Sequence, residues 1–124
     1  AEAQYCALQG VEQALEVVEL AKESLNPGLE FLGIVLNLAD MRTVHSREAQ
    51  ASLAKHYGDK LFETVIRQSI GYAESAERAV SILDYRPDLG ADYVALAGEA
   101  LDRLGLRDAR RELRKLSMNG ARAS

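Results

Sequence analysis

LEFLGIVLNLADMRT, residues 29–43, is the stretch whose reading decides the fold. Phe31, Leu32, Ile34, Val35 and Leu36 form a nearly unbroken apolar run. Such a run suits a strand covered on both faces, as in a parallel sheet flanked by helices. The polar segment from Asn37 to Thr43 then reads as the loop at the strand's carboxyl end. Open α/β sheets bind ligands at that end, which makes Asn37, Asp40 and Arg42 the first candidate site residues.

Toward the N-terminus, residues 4–25 read as a helix. Ala7, Val11, Ala14, Val18, Ala21 and Leu25 recur at spacings of four and three, with Leu8 and Leu15 widening the stripe. Glu12, Glu16, Glu19 and Glu23 take the other side, and Asn26-Pro27-Gly28 stops the helix. A parallel sheet entered through a crossover helix needs a strand before that helix. The chain is therefore expected to be part of a larger domain.

Toward the C-terminus, Ser46 can cap a helix over 46–57 with Ala49, Leu53 and Tyr57 inward, ending at Gly58. Leu61 to Ile66 reads as a second strand, bounded by Asp59-Lys60 and Arg67-Gln68-Ser69. Strand, helix, strand is a right-handed crossover, so the two strands are expected to be parallel. Helices are expected over 70–83 and 91–104, separated by a loop, and a short helix follows with Leu106, Ala109, Leu113 and Leu116 inward. The expected fold is α/β, two parallel strands flanked by about five helices. Residues 1–105 form its body and 106–124 a basic helical tail.

One domain fits 124 residues, and 48% hydrophobic with 27% charged residues is a globular balance. No apolar run approaches the roughly 20 residues needed to span a bilayer, so no membrane partner is expected. No secretory signal opens the chain, and the single cysteine, Cys6, has no partner for an internal disulfide. A cytoplasmic location is expected. The net charge of −4 conceals an asymmetry. Residues 103–124 carry seven Lys/Arg against two acidic residues, and the rest carries eight against seventeen. A basic tail on an acidic body suggests an anionic partner, although a solvated helix face is the plainer alternative.

No nucleophile-and-base set is visible, so no catalytic residue is assigned. His45 and His56 read as surface residues, and two histidines with one cysteine make no zinc cluster. Neither G-x-x-x-x-G-K-S/T nor G-x-G-x-x-G occurs. The chain thus lacks the backbone cradle and lysine that hold nucleotide phosphates, and hydrolysis by this chain alone is not expected. Asn37 offers a donor and an acceptor that can match a nucleobase edge. Asp40 can accept from an exocyclic amine or stabilise its own loop. Both residue types are also common turn formers.

Several segments are similar to a known family in order along the chain. Tyr5-Cys6-Ala7-Leu8-Gln9-Gly10-Val11 with Gln13 resembles Y-x-A-L-E-G-L/V-x-Q of the ParA/Soj partition ATPases, relatives of MinD. Leu25-Asn26-Pro27, Leu32-Gly33-Ile34-Val35-Leu36 and Asp40-Met41-Arg42-Thr43 resemble that family's LNP, GVLL and D-x-R-T segments. His56 to Phe62, Thr64-Val65-Ile66 and Ile82-Leu83-Asp84-Tyr85 resemble its HFGDKVF, TVI and ILEY. The similarity runs over about residues 5–104.

This resemblance implies the C-terminal portion of a P-loop-type three-layer domain that lacks its N-terminal phosphate-binding half. The intact protein would bind ATP and Mg, form a homodimer, bind DNA nonspecifically and respond to a ParB-like partner on the nucleoid. The resemblance places Asn37, Asp40, Ile66 and Arg67 beside the base. Arg42 and Arg67, with the tail residues Arg110, Arg111, Arg114 and Lys115 beyond the similar segment, are expected to supply the cations that hold DNA. The chain departs from the family at Arg67-Gln68, where proline and arginine are usual, and at Gly71 and Ala79-Val80-Ser81, where basic or proline positions are lost. Fewer cations weaken a phosphate surface. A second expectation is an ATP-independent dimerisation or partner-docking module whose opening helix buries itself against another copy.

Overall fold

A computed structural model describes the backbone of residues 2–123 and the side chains of residues 7–37 and 39–116. Cys6 and the end of the tail thus lie outside the described side chains. The chain forms two compact units, one of residues 1–34 and 40–61, the other of 35–39 and 62–124.

In the first unit α1 (Glu2–Ser24) packs against α2 (Val44–Tyr57). Ala7, Leu8, Val11, Leu15, Val18 and Ala21 are the partly buried positions of α1, following the apolar stripe of the sequence. Ala14 and Leu25, expected inward, are exposed. Ala49 and Leu53 are buried on α2. The cap of α2 is Thr43 rather than Ser46: the Thr43 hydroxyl accepts from the Ser46 amide at 3.2 Å and donates to the Asp40 carbonyl at 2.8 Å. Gly58 ends the helix at φ +56°, a conformation glycine adopts without steric cost. Lys60 then donates to the Phe31 carbonyl at 3.2 Å and lies over the Phe31 ring.

The second unit holds the sheet. Strands β1 (Ile34–Ala39) and β2 (Leu61–Arg67) lie side by side and parallel. Their register at the carboxyl end is fixed by the Gln68 amide, which donates to the Ala39 carbonyl at 2.9 Å. This pairing draws β1 three residues further along the chain than its apolar run suggested. Asn37 is therefore a strand residue, and the loop shrinks to Asp40–Thr43. Ile34, Val35 and Leu36 are only half-buried, whereas Phe62 and Ile66 are buried. Phe62 and Ile66 share one face of β2 while Glu63 and Arg67 on the other are exposed, so the two-sided cover read from the sequence is not realised among the described residues.

After β2 come α3 (Gly71–Glu77), α4 (Ile82–Tyr85), α5 (Pro87–Arg103) and α6 (Arg107–Ala123), giving six helices where about five were expected. The helix expected over 70–83 breaks in two at Ala79, which adopts φ +55°. The loop expected before the fifth helix is shorter because Pro87 begins α5, where its missing N–H has no helical partner to lose. Gly90 lets α5 approach α4, since a Cβ there would lie 2.9 Å from the Leu83 Cα.

Helix α5 closes the outer edge of β2 with two carboxylates. Glu99 accepts from the Glu63 amide at 2.9 Å, the Thr64 amide at 2.8 Å and the Thr64 hydroxyl at 2.7 Å. Asp92 accepts from the Arg67 amide at 3.1 Å and Nε at 2.9 Å. Seven helical residues rise about 10.5 Å and four strand residues span about 13 Å, so one helix face can serve both ends of the strand. Unpaired strand donors are the usual weakness of a sheet edge, and here the amides of Glu63, Thr64 and Arg67 are occupied.

Candidate functional site

The loop after β1 is built around Asp40. Its carboxylate accepts from the Arg42 amide at 3.1 Å, Nε at 2.9 Å and an NH2 nitrogen at 3.0 Å. The bidentate side-chain bond holds the Asp40 carboxyl below its ordinary pKa and raises that of Arg42. Arg42 stays 92% exposed, so its charge is aimed but not consumed by burial. Thr43 caps α2 from the same turn, which explains the local economy of Asp-x-Arg-Thr: one residue organises the loop, one is presented, one starts the helix.

Asn37, Ile66 and Arg67 belong to the second unit. Asn37 is exposed and its amide makes no hydrogen bond among the described residues, leaving both a donor and an acceptor for a ligand. Ile66 is 2% exposed, so its side chain is core, and only backbone at that turn can face a ligand. Arg67 is held on α5: besides its bonds to Asp92, an NH2 nitrogen donates to the Asp88 carbonyl at 2.7 Å. The hydrogen bond to Asp92 raises the Arg67 pKa and keeps it charged, with half of the side chain still in solvent.

The tail cations divide. Arg110 is turned onto α5 beside Gly98, where a Cβ would lie 2.6 Å from its Cζ, and its Nε is 3.5 Å from the Asp102 carboxylate. It docks α6 rather than facing outward. Arg111 and Lys115 are exposed and pair within the helix with Asp108 at 3.9 Å and Glu112 at 3.3 Å. Arg107 and Arg114 are exposed too. Sequence reading missed Asp92 and Glu99. Their spacing of seven on one helix face was visible, but the strand they serve is brought to them only by folding.

Asn37, in the second unit, offers a free amide among the described residues; Asp40, in the first, must yield a bond to Arg42 before it accepts from another donor. No phosphate-loop motif accompanies them in the sequence. Among the described residues no three His, Cys, Asp or Glu side chains gather as a metal site, and no helix is long and apolar enough to cross a membrane.

Two parallel strands with flanking helices define a portion of an α/β domain. No family model matches the chain. The chromosome-partitioning ATPase Soj of Thermus thermophilus is 36% identical over 105 residues, covering 83% of this chain and 42% of the relative. The chromosome partitioning protein ParA of Caulobacter vibrioides is 30% identical over 102 residues, covering 81% and 38%. An uncharacterized protein of Mycobacterium tuberculosis is 35% identical over 107 residues, covering 85% and 34%. The chain is a relative of the ParA/Soj chromosome-partitioning proteins. It spans between about a third and two fifths of the length of these curated relatives.

Proposed function

We propose that these residues form the C-terminal portion of a ParA-like ATPase that positions DNA or another cargo, and that they do not hydrolyse ATP alone. The observation that carries this reading is continuous similarity to Soj and ParA over about four fifths of the chain. In the intact protein, ATP and Mg would be held chiefly by a phosphate loop outside these residues. Asn37, the Asp40–Arg42 turn and the backbone at Ile66–Arg67 would border the base. Homodimerisation, nonspecific DNA, a ParB-like partner and a nucleoid-associated cytoplasmic location belong to the same proposal.

For DNA the structure favours a smaller cation set than the sequence suggested. Arg42, Arg111, Arg114 and Lys115 are exposed, whereas Arg110 faces α5 and Arg67 is tethered at Asp92. Duplex binding by this chain, measured against salt by fluorescence anisotropy, should weaken as each phosphate contact releases its counterion. Replacing Arg111, Arg114 and Lys115 together by Ala should flatten the salt slope by about three contacts. Arg110→Ala should leave the slope near that of the parent. A triple variant that binds with an unchanged slope would remove the tail from the DNA surface.

A further inference from the structure

Helix α6 is held to α5 by very little, although both belong to the second unit. Of its described side chains, residues 107–116, only Arg110 and Leu113 are not exposed. Leu106, Ala109 and Leu116, expected inward from the sequence, are exposed. Arg110 fills the space that a side chain at Gly98 would take, with its Cζ 2.6 Å from where the Cβ would lie. That seat is poorly satisfied. The Arg110 Nε is enclosed yet makes no hydrogen bond among the described residues, and the Asp102 carboxylate, 3.5 Å away, is 60% exposed. An ion pair so open to water contributes little, and an enclosed donor without an acceptor works against the docked state.

The connection lets α6 leave without disturbing α5. The Gly105 amide donates to the Asp102 carbonyl at 3.1 Å and the Leu106 amide to the Leu101 carbonyl at 2.9 Å, so α5 is closed by its own bonds. Gly105 takes φ +74°, and a side chain there would meet nothing within 4 Å. The Arg110 amide donates to the Leu106 carbonyl at 3.0 Å, which begins α6. Leu106 thus closes one helix and opens the next, and the pivot is confined to Gly105 and Leu106. We propose that α6 is an arm that swings off α5 about this pivot as one unit, with Arg110 in the Gly98 notch as its latch. Opening bares the Gly98 face of α5 and carries Arg107, Arg111, Arg114 and Lys115 away together. A charged helix of 17 residues is only marginally stable without packing, so the open arm loses the protection of its amides. The arm does not rest on the partitioning reading, because residues 106–124 lie beyond the segment that resembles that family.

Amide exchange of the full chain, followed by NMR, tests it. The amides from Arg110 to Leu116 should exchange at one common rate, roughly tenfold or more faster than the interior amides of α5. Arg110→Ala removes stem and charge and should raise that common rate roughly tenfold, with α5 unchanged. Arg110→Met keeps the stem, drops the unpartnered donor and should lower it. Gly98→Ala crowds the latch from the α5 side and takes the place of Arg110→Ala if that variant disturbs α5. Rates that climb steadily toward the C-terminus would mean ordinary fraying of a helix end and would overturn the arm. Rates equal to those of α5, or a methionine variant as fast as the alanine one, would overturn the proposal as well.

Discussion

Replacing Glu99 by Ala should cost this chain more stability than any other single carboxylate change on α5. Its carboxylate takes three hydrogen bonds from Glu63 and Thr64 and a fourth from Arg103 at 3.2 Å. The side chain is 18% exposed, so water replaces these bonds only in part. Glu63 is exposed and its amide can be resolvated, while the Thr64 amide and hydroxyl lie deeper. Hydrogen bonds to a charged group contribute about 1.5–3 kcal/mol, and a donor left unsatisfied costs about 1–3 kcal/mol. A loss of about 2–3 kcal/mol is expected, since the bonds share one acceptor and do not add. Arg103 also loses its bond to Glu99, while its guanidinium keeps the Phe62 ring at 4.1 Å.

The charge on Glu99 gives this prediction a pH dependence. Burial raises its pKa, but the bonds from Thr64, Glu63 and Arg103 outweigh burial and hold it below the usual 4.5. A depressed folded pKa means that the contribution is complete above the unfolded value and is lost as pH falls through the folded one. Urea unfolding at neutral pH and through the acid range should show Glu99→Ala unfolding at lower urea with the same slope. Its difference from the parent should shrink below about pH 4. Hydrogen exchange should open first at the Glu63 and Thr64 amides. A variant within about 0.5 kcal/mol of the parent at neutral pH would refute the edge-closing role of α5.

Gly90→Ala should destabilise by about 1–3 kcal/mol, because the new Cβ meets the Leu83 Cα, and backbone cannot step aside. Gly98→Ala meets only the end of the Arg110 side chain, and about 1 kcal/mol of helix propensity offsets the displacement. Thermal unfolding should place it near the parent, with faster amide exchange in α6. Asp88 should titrate at about 2 by carbon NMR, because the Arg86 guanidinium, 2.7 Å away, hydrogen-bonds its carboxylate. Arg86→Ala should return it toward 3.8, and an unchanged midpoint would rule out that pair as the cause.

Periodicity and turn chemistry carried much of the fold. The stripe on α1, the inward Ala49 and Leu53 of α2, and the order of strand, helix and strand all lay in the spacing of apolar residues. What escaped the sequence was set by tertiary contact. The Gln68–Ala39 bond decides where β1 ends, and no local pattern encodes it. Pro87 could have been read as a helix start, but the surrounding polar residues looked like loop. The site divided in the same way. Asp40–Thr43 is a local turn, so its candidates were legible and its geometry is made within four residues. Arg67 and Arg110 are just as basic in sequence, yet one is drawn to Asp92 and the other to Gly98, partners 25 and 12 residues away along the chain. Ile66 matched a family segment, and the core took its side chain.

The central claim is that these residues are one portion of a larger partitioning ATPase, and the mass of the native protein in its source cells tests it most directly. Antibody capture against α5–α6 followed by intact mass spectrometry gives that number. A species more than twice the mass of this chain, as the 38–42% coverage of Soj and ParA requires, is the expected result. Its additional sequence should contain the phosphate loop. A native species no larger than this chain would contradict the account.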